Sequence, residues 1–418
     1  MKNICKLPII KWFIGFIACM IIVYVAGGNN YISNQGSFEI GDFKDGRVIK
    51  VTNLESKGEG SFRDAVNESG ARYIVFEVSG VIDLKKENIV IENPYLFIAG
   101  ETAPGDGITL IRGGISIRTH DVVVRHLKVR PGDAGENRKS GWEVDGIAAS
   151  GAKAYNIKID HCSVTWSTDE NISVSGPRLL GPEHTARDVV ISNCIIAEGL
   201  SNSTHAKGEH SKGSLIHDNC QNVLIKGNLY AHNKRRNPYF KTGASGTIMN
   251  NLIYNPGTKV IHTYWVQSEW EGHPEPNPAK ISIIGNVLIP GKDTKAESMI
   301  DANHAELFIE DNSIEENTKN IKIVTGEFKD VSNYGTSIAG NTISTASEIV
   351  ESVLKNVGAR PWKRDNIDLR ILENVENRVG RIINSQDDVE GYPQYESEYR
   401  KLDVPEENIE KWLNTFIE

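Results

Sequence analysis

The segment VVISNCII at residues 189–196 alternates apolar residues around a central asparagine, Asn193. Alternation with a period of two residues is typical of strands rather than helices. The same frame returns after 23 to 35 residues, which indicates the coils of a solenoid with loops inserted at their corners. The matching positions are His161, Asn228, Asn251, Asn286, Asn312 and Asn341.

Asparagine suits a bend between two strands because it tolerates a left-handed backbone and bonds to nearby peptide groups. Asparagines stacked from coil to coil can also bond to one another. The repeat therefore predicts an all-β solenoid of stacked strands, which we place at residues 28–345.

The start of the chain differs from the repeat. Lys2, Lys6 and Lys11 precede the apolar residues 12–26. This order predicts a signal peptide at residues 1–27 and an exported protein that is secreted, periplasmic or at the cell surface. The alternative is a permanent anchor, but ~15 apolar residues are fewer than the ~20 that span a bilayer. We expect no membrane span in the mature chain.

After about residue 345 the repeat gives way to helical spacing. ASEIVESVLKNVGA at residues 346–359 predicts a helix that stops at Gly358, and EENIEKWLNTFIE at residues 406–418 predicts a terminal amphipathic helix. We expect residues 346–418 to form a tail that packs on the solenoid and protects its edge strands.

The 418-residue chain has a formal net charge of −9, which argues against binding nucleic acid through its whole surface. An acidic protein that binds an acidic polymer needs a local basic groove or a bridging cation.

Cys162, Cys194 and Cys220 match neither a disulfide framework nor a zinc pattern, so we expect them to be small buried hydrophobes. We expect a monomer.

Two stretches place acids where a solenoid would carry a groove. WEVDGIAASG contains Glu143 and Asp145, and IDHCSVTWSTDENIS contains Asp169 and Glu170. Glu143 and Asp145 would project from one face of a strand, with Asp169 beside them one coil later. Converging carboxylates repel one another unless a cation binds, and hard oxygen ligands suit Ca²⁺. The alternative is that each acid is a solvated surface group.

Basic residues follow in two further stretches. HNKRRNPYFK places Arg235, Arg236 and Lys241 around a rigid proline, and THAKGEHSKG before it contains Lys207 and Lys212. Cations beside a metal-binding acidic cluster suit a polyanionic substrate, because both would bind its carboxylates. The alternative is a pair of solvated basic turns.

These stretches, with AGETAPGDGITL at residues 99–110, resemble the pectate lyases of polysaccharide lyase family 1. IDHCSVTW is similar to that family's v-W-i-D-H signature, with Lys158 where tryptophan is common. RNPYFK is similar to its R-x-P-x-x-R motif, with Lys241 replacing the final arginine. ILENVENRVGRIINSQDDVEGYP in the tail looks like segments of one bacterial branch.

The resemblance implies a right-handed, single-stranded parallel β-helix with calcium in its groove. Asp145 and Asp169 fall on calcium-ligand positions, and Glu143 falls on a third position that some members use. Ser173 stands where a further aspartate ligand is expected. This departure implies a weaker calcium site, or one that a substrate carboxylate completes.

The resemblance also assigns the basic residues. Arg236 falls on the catalytic arginine, and Lys241 falls on an arginine that holds the substrate. We choose Lys207 as the substrate-binding lysine, with Lys212 as the alternative, and we expect Arg235 to assist binding.

The implied activity is cleavage of α-1,4-linked polygalacturonate by calcium-assisted β-elimination, which gives unsaturated oligogalacturonides. A hydrolase on the same fold is a rival, but the adjacent Asp169 and Glu170 would point to opposite faces of a strand and suit an acid pair poorly. Two more candidates are a lyase acting on another polyuronide or on esterified pectin, and a non-catalytic glycan-binding β-helix surface protein.

Overall fold

The structure, a computed structural model, describes residue 43 and residues 46–331 and 345–417. The described chain winds into successive coils whose strands stack into three parallel sheets. The predicted all-β parallel β-helix is therefore confirmed. The predicted signal peptide at residues 1–27 and the predicted repeat position Asn341 lie outside the described residues.

The strands are numbered in chain order and grouped here by sheet. Sheet 1 contains β1 Arg47–Val51, β2 Arg72–Phe76, β5 Leu96–Ala99, β8 Val122–Arg125, β11 Tyr155–Asp160, β14 Arg187–Ser192, β17 Gln221–Lys226, β20 Ser245–Met249 and β23 Ala279–Ile284. Sheet 2 contains β4 Ile89–Ile91, β7 Ile115–Ile117, β10 Ile147–Ser150, β13 Glu170–Ser175, β16 Lys212–Ile216, β19 Tyr239–Lys241 and β22 Ile261–Tyr264. Sheet 3 contains β3 Gly80–Asp83, β6 Ile108–Ile111, β9 Lys128–Arg130, β12 Ser163–Thr165, β15 Ile195–Ala197, β18 Leu229–Ala231, β21 Leu252–Tyr254, β24 Val287–Ile289 and β26 Ser313–Ile314.

Two long strands, β25 Ser298–Glu310 and β27 Lys322–Asp330, join sheets 1 and 2. The first part of β25 pairs with β22 of sheet 2, and its second part pairs with β23 of sheet 1. Strand β27 lies beside β25, with an irregularity in the pairing around His304.

Columns of aliphatic side chains fill the interior of the β-helix. In sheet 1, Ile98 lies opposite Val124, which is followed coil by coil by Ile159, Ile191 and Ile225. All five side chains are fully buried. Burying an isoleucine contributes about 1.5–3 kcal/mol, so the alternating pattern in each coil stabilises the stack directly.

An asparagine ladder runs along the turn between sheets 1 and 3. The side-chain amide of Asn228 donates to the Asn251 oxygen, Asn251 donates to Asn286, and Asn286 donates to Asn312, each over 2.9 Å. The same oxygens accept the backbone N–H groups of the preceding members. The predicted stacking is therefore confirmed at these four positions.

The upstream end of the ladder differs from the prediction. The strand register places Cys194, not Asn193, opposite Asn228, and the Cys194 backbone N–H donates to the Asn228 oxygen over 2.9 Å. Cys162 contacts Cys194 in the equivalent way one coil earlier. Asn193 and His161 occupy the preceding bend position, with φ of 52° and 48°. The cysteines are buried, as predicted.

The described helices are α1 Phe62–Asn67, α2 Ala346–Asn356, α3 Asn366–Glu376 and α4 Ile409–Asn414. The predicted helix α2 is confirmed: Thr345 and Glu348 form a capping box at its start, and Gly358 follows its end with φ of 94°. Helix α4 is shorter than predicted and begins only at Ile409.

The described tail packs on the flank of the β-helix. Val353 of α2 and Ile371 of α3 are buried against the outer face of sheet 3. Arg130 of β9 forms buried ion pairs with Asp365 and Asp368, each over 2.8 Å. Helix α4 packs against the outer face of the first coils of sheet 1. Within the described ranges, no helix has the length and apolar character needed to cross a membrane.

Candidate active site

Polar side chains gather where four successive strands of sheet 2 begin. Asp145 lies two residues before β10, Asp169 directly precedes β13, Lys212 is the first residue of β16, and Arg236 lies three residues before β19. Because parallel strands begin at the same edge of a sheet, these side chains line one cavity of about 670 Å³. We call it the catalytic cavity.

Three carboxylates converge in the catalytic cavity. One oxygen of each of Asp145, Asp169 and Glu170 lies within 4.8 Å of the other two. Asp145 Oδ1 accepts the Glu170 backbone N–H over 3.0 Å, and Oδ2 accepts the Ser173 hydroxyl over 2.5 Å. Burial, together with the charge of Asp169, raises the pKa of Asp145 to about 7. A bound cation would relieve this concentration of negative charge.

Glu170 is a site residue that the sequence analysis did not assign. The expectation that Asp169 and Glu170 point to opposite faces of a strand was wrong. Strand β13 begins at Glu170, so Asp169 lies in the bend before it, where strand alternation does not apply. Both carboxylates therefore reach the same cavity.

Glu143 lies at the edge of this group. Its Oε1 accepts the backbone N–H of Ala206 over 2.9 Å and lies 3.3 Å from His205 Nδ1. The structure therefore directs Glu143 toward the loop that carries His205, and does not bring it among the three converging carboxylates. Glu143 and Asp145 both precede strand β10, so the strand alternation that would have placed this predicted metal ligand beside Asp145 does not apply to them.

Two histidines contact Asp169, and the sequence analysis gave neither a role. His210 Nε2 lies 3.2 Å from Asp169 Oδ1, and His205 Nε2 lies 3.7 Å from it. The two rings stack with centroids 3.3 Å apart. His205 Nδ1 accepts the Lys207 backbone N–H over 3.1 Å, which leaves its proton on Nε2, facing Asp169. The histidines thus orient this carboxylate.

Arg236 faces the carboxylates from the next edge of the cavity. Its guanidinium forms an ion pair with Glu170 and lies 5.5 Å from the ring centroid of Tyr239. Burial lowers the pKa of Arg236, while the charges of Asp169 and Asp145 act in the opposite direction.

The predicted substrate-binding cations differ in their partners. Lys241 is buried and ion-paired with Asp218 over 2.9 Å and with Glu269. Arg235 and Lys207 are exposed. Lys212 is only 6% exposed, and no acid of the described chain forms an ion pair with it.

The Lys212 side chain lines the catalytic cavity. Burial, reinforced by the nearby charge of Arg235, lowers the pKa of Lys212 to about 8. A buried ammonium without a carboxylate partner is costly, which makes Lys212 a candidate for binding an anionic ligand.

Fold and groove together define the class of this protein: it is a parallel β-helix whose groove combines carboxylates with basic side chains. No family model matches the chain. Probable pectate lyase C of Emericella nidulans is 32% identical over 83% of this chain and 76% of its own length. The protein of the same name from Neosartorya fischeri is 33% identical over 82% of this chain and 75% of its own length. The chain therefore belongs to the pectate lyase family.

A solved structure supports the fold independently. Jun a 1, the major allergen from cedar pollen, is similar with a TM-score of 0.52 and 16% sequence identity, over 76% of this chain and 89% of that one. At this identity the similarity concerns the fold alone. The sequence relatives are fungal, so the bacterial branch stays a prediction.

Proposed function

We propose that the chain cleaves polygalacturonate by calcium-assisted β-elimination and releases unsaturated oligogalacturonides. The observation that carries this proposal is the meeting of Asp145, Asp169 and Glu170 with Arg236 and an unpaired, buried Lys212 in one cavity. Membership of the pectate lyase family supports the same reaction.

The chemical difficulty is the acidity of the C5 proton of a uronate. Removing it places negative charge beside an ionised carboxylate, so that carboxylate must be neutralised. Calcium, when bound, supplies positive charge for this purpose. Lys212 supplies a second positive charge, because its ammonium has no ion-pair partner among the described residues. Its pKa of about 8 belongs to the empty site, and a bound substrate carboxylate favours the charged form.

Asp145, Asp169 and Glu170 are the residues that would hold calcium. Their oxygens are hard donors that already lie close together, and the raised pKa of Asp145 reflects an excess of negative charge, so the donor set fits the ion. Ser173 is neutral and keeps Asp145 oriented through its hydrogen bond. Glu143 is left out of the proposed set, because its carboxylate accepts the Ala206 backbone N–H and lies outside the group of three converging carboxylates.

Arg236 is the proposed base that accepts the C5 proton. The electron pair of the C5–H bond then forms the C4=C5 double bond while the C4–O glycosidic bond breaks, and the leaving oxygen takes a proton from solvent water. Guanidinium groups are normally protonated, with a pKa above ~12, so a base role requires a lower pKa. Burial acts in this direction. The charges of Asp145 and Asp169 oppose it, and their neutralisation would lower the pKa of Arg236 further.

The remaining cations have proposed roles that follow from their partners. Lys212 replaces Lys207 as the choice for the main substrate-binding lysine, because Lys212 is buried and has no ion pair within the described part of the chain, whereas Lys207 is exposed. Arg235 binds a neighbouring uronate at the groove surface. Lys241 holds substrate only if a uronate displaces it from Asp218 and Glu269.

A hydrolase remains the second candidate because of one specific observation. Asp145, with its pKa near 7, and Asp169, with a lowered pKa, resemble a proton donor and a carboxylate base at close range. The product separates the candidates: elimination leaves a conjugated double bond that absorbs ultraviolet light, hydrolysis leaves a saturated reducing end, and a glycan-binding protein leaves the polymer intact.

The deciding experiment follows this absorbance on polygalacturonate with calcium, with EGTA, and after calcium is restored. We expect product only when calcium is present. Full activity in EGTA would show that the reaction does not require calcium, and a saturated product would favour the hydrolase.

The domain plan and location complete the proposal. We propose that residues 1–27 direct export. Residues 28–345 form the catalytic domain, and residues 346–418 form its covering tail. The mature enzyme is a monomer that is secreted, periplasmic or at the cell surface. N-terminal sequencing and light scattering of the exported protein test these points.

A further inference from the structure

A second cavity of about 690 Å³ continues the groove toward the C-terminal coils. We call it the distal cavity. It shares Lys212, Arg236 and Tyr239 with the catalytic cavity, so one polymer chain can occupy both. Its far wall is formed by residues of β25 and β27, including Asp301 and Glu327.

Charge changes sign along the distal cavity. At its near end, Lys212 and Arg235 have no ion-pair partner among the described residues. One coil further, Lys259 is neutralised by its ion pair with Asp301. At the far end the exposed Glu327 adds a second carboxylate. A polyanion that enters at the near end therefore meets negative charge at the far end.

The surface between the two ends is aromatic and uncharged. The rings of Tyr239 and His262 stack with centroids 4.3 Å apart and planes at 15°. Burial holds the pKa of His262 well below its ordinary value, so the imidazole is neutral. Tyr264 is 51% exposed and lines the same cavity. Tyr239 and His262 are only 6% and 7% exposed, so the exposed ring of Tyr264 is the one that can contact the apolar face of a sugar.

An ionised uronate at the far end would be repelled. Two like charges ~4 Å apart cost about 1 kcal/mol in water and more near a protein surface. A methyl ester removes the charge from the sugar and adds a methyl group that Tyr264 and Val266 can contact.

We propose that the distal cavity takes a methyl-esterified galacturonate, so that the enzyme acts best on partly esterified galacturonan whose sugar at the catalytic cavity is a free acid. This inference rests on the proposed function and specifies its substrate.

The test compares kcat/KM on de-esterified and partly methyl-esterified galacturonan of equal length. The wild type should favour the esterified polymer by about fivefold, the effect of about 1 kcal/mol. The double variant Asp301→Asn, Glu327→Gln should raise kcat/KM on the de-esterified polymer and abolish the preference. The control Glu310→Gln, Asp330→Asn removes two charges from the same strands outside the cavity and should keep it.

A wild type that prefers the de-esterified polymer, or a double variant with the wild-type preference, would overturn the inference. Calorimetric binding of esterified and free oligomers to the Arg236→Ala variant gives an independent measurement, in which the esterified oligomer should bind more tightly. If the wild type forms no unsaturated product from either polymer, the proposed function fails, and this binding comparison still decides the specificity of the distal cavity. Single Glu327→Gln, which leaves the ion pair of Lys259 with Asp301 intact, replaces the double variant if the latter does not fold.

Discussion

Glu170 on β13 forms an ion pair with Arg236, which lies two coils further along the groove, across Lys212 on β16. The proposed base is therefore held by a carboxylate that also belongs to the proposed cation site. A cation bound by Glu170 would therefore compete with the guanidinium of Arg236 for the same carboxylate.

Replacing the proposed base should abolish turnover. For Arg236→Ala we expect kcat to fall by about 10²- to 10⁴-fold, because a positioned base contributes that much to proton transfer. Initial rates of double-bond formation measure the effect. Arg235→Ala is the matched control and should change mainly KM; an Arg236→Ala enzyme with more than a tenth of the wild-type kcat would contradict the base assignment.

Activity should rise with pH, because only the neutral form of Arg236 accepts a proton. Its pKa is lowered by burial, so the rising limb belongs in the alkaline range but below that of free arginine. Glu170→Gln removes the carboxylate that holds the charged guanidinium, and should move this limb to lower pH. The measurement is kcat/KM against pH at saturating calcium; a limb that moves upward would show that Glu170 does not act on Arg236.

Ser173→Asp should tighten calcium binding. The new carboxylate would lie beside Asp145, which Ser173 now contacts over 2.5 Å, and would add a charged oxygen ligand. We expect a fall of about tenfold or more in the calcium Kd by calorimetry, and lower thermal stability without calcium. Ser175→Asp, on the same strand, is the comparison; equal affinities in both variants would refute a special role for position 173.

The calcium-free enzyme should lose stability as pH rises. The pKa of Asp145 is raised from about 4 in the unfolded chain to about 7 in the fold. Because the folded state binds the proton more tightly, the free energy of unfolding falls across this interval. Asp145→Asn should remove the contribution of Asp145 to this decrease in the free energy of unfolding. Denaturant unfolding in EGTA at several pH values measures the effect. Identical pH profiles for the two proteins would contradict the assignment.

Asn251→Ala should destabilise the β-helix strongly. The change leaves the Asn228 amide and a backbone N–H without their acceptor inside the core, at a cost of about 1–3 kcal/mol for each buried group. Asn193→Gly, at a bend with φ of 52°, should cost much less, since glycine adopts that backbone freely. Chemical denaturation compares the two, and equal losses would argue against the ladder as the stabilising element.

Much of the architecture could be predicted from the sequence, because strand alternation and a recurrent asparagine are local patterns. The position of Cys194 in the ladder could not be predicted. Asn193 lies in the bend directly before it, and the repeat pattern alone does not show which of these two neighbours stacks on Asn228. The pairing of Glu170 with Arg236 depends on where β13 begins, which alternation alone does not fix. The proposed choice of Lys212 over Lys207 depends on which lysine is buried, which the sequence does not show.

The cysteines that continue the asparagine ladder have a consequence for redox chemistry. Cys162 and Cys194 are buried in the core, and burial, with the neighbouring Cys162 thiol, raises the pKa of Cys194 well above its ordinary value. Thiol–disulfide exchange requires a thiolate that is accessible to its partner. Once the coils have closed, these thiols are shielded from exchange, so oxidation endangers the protein only while it is still unfolded.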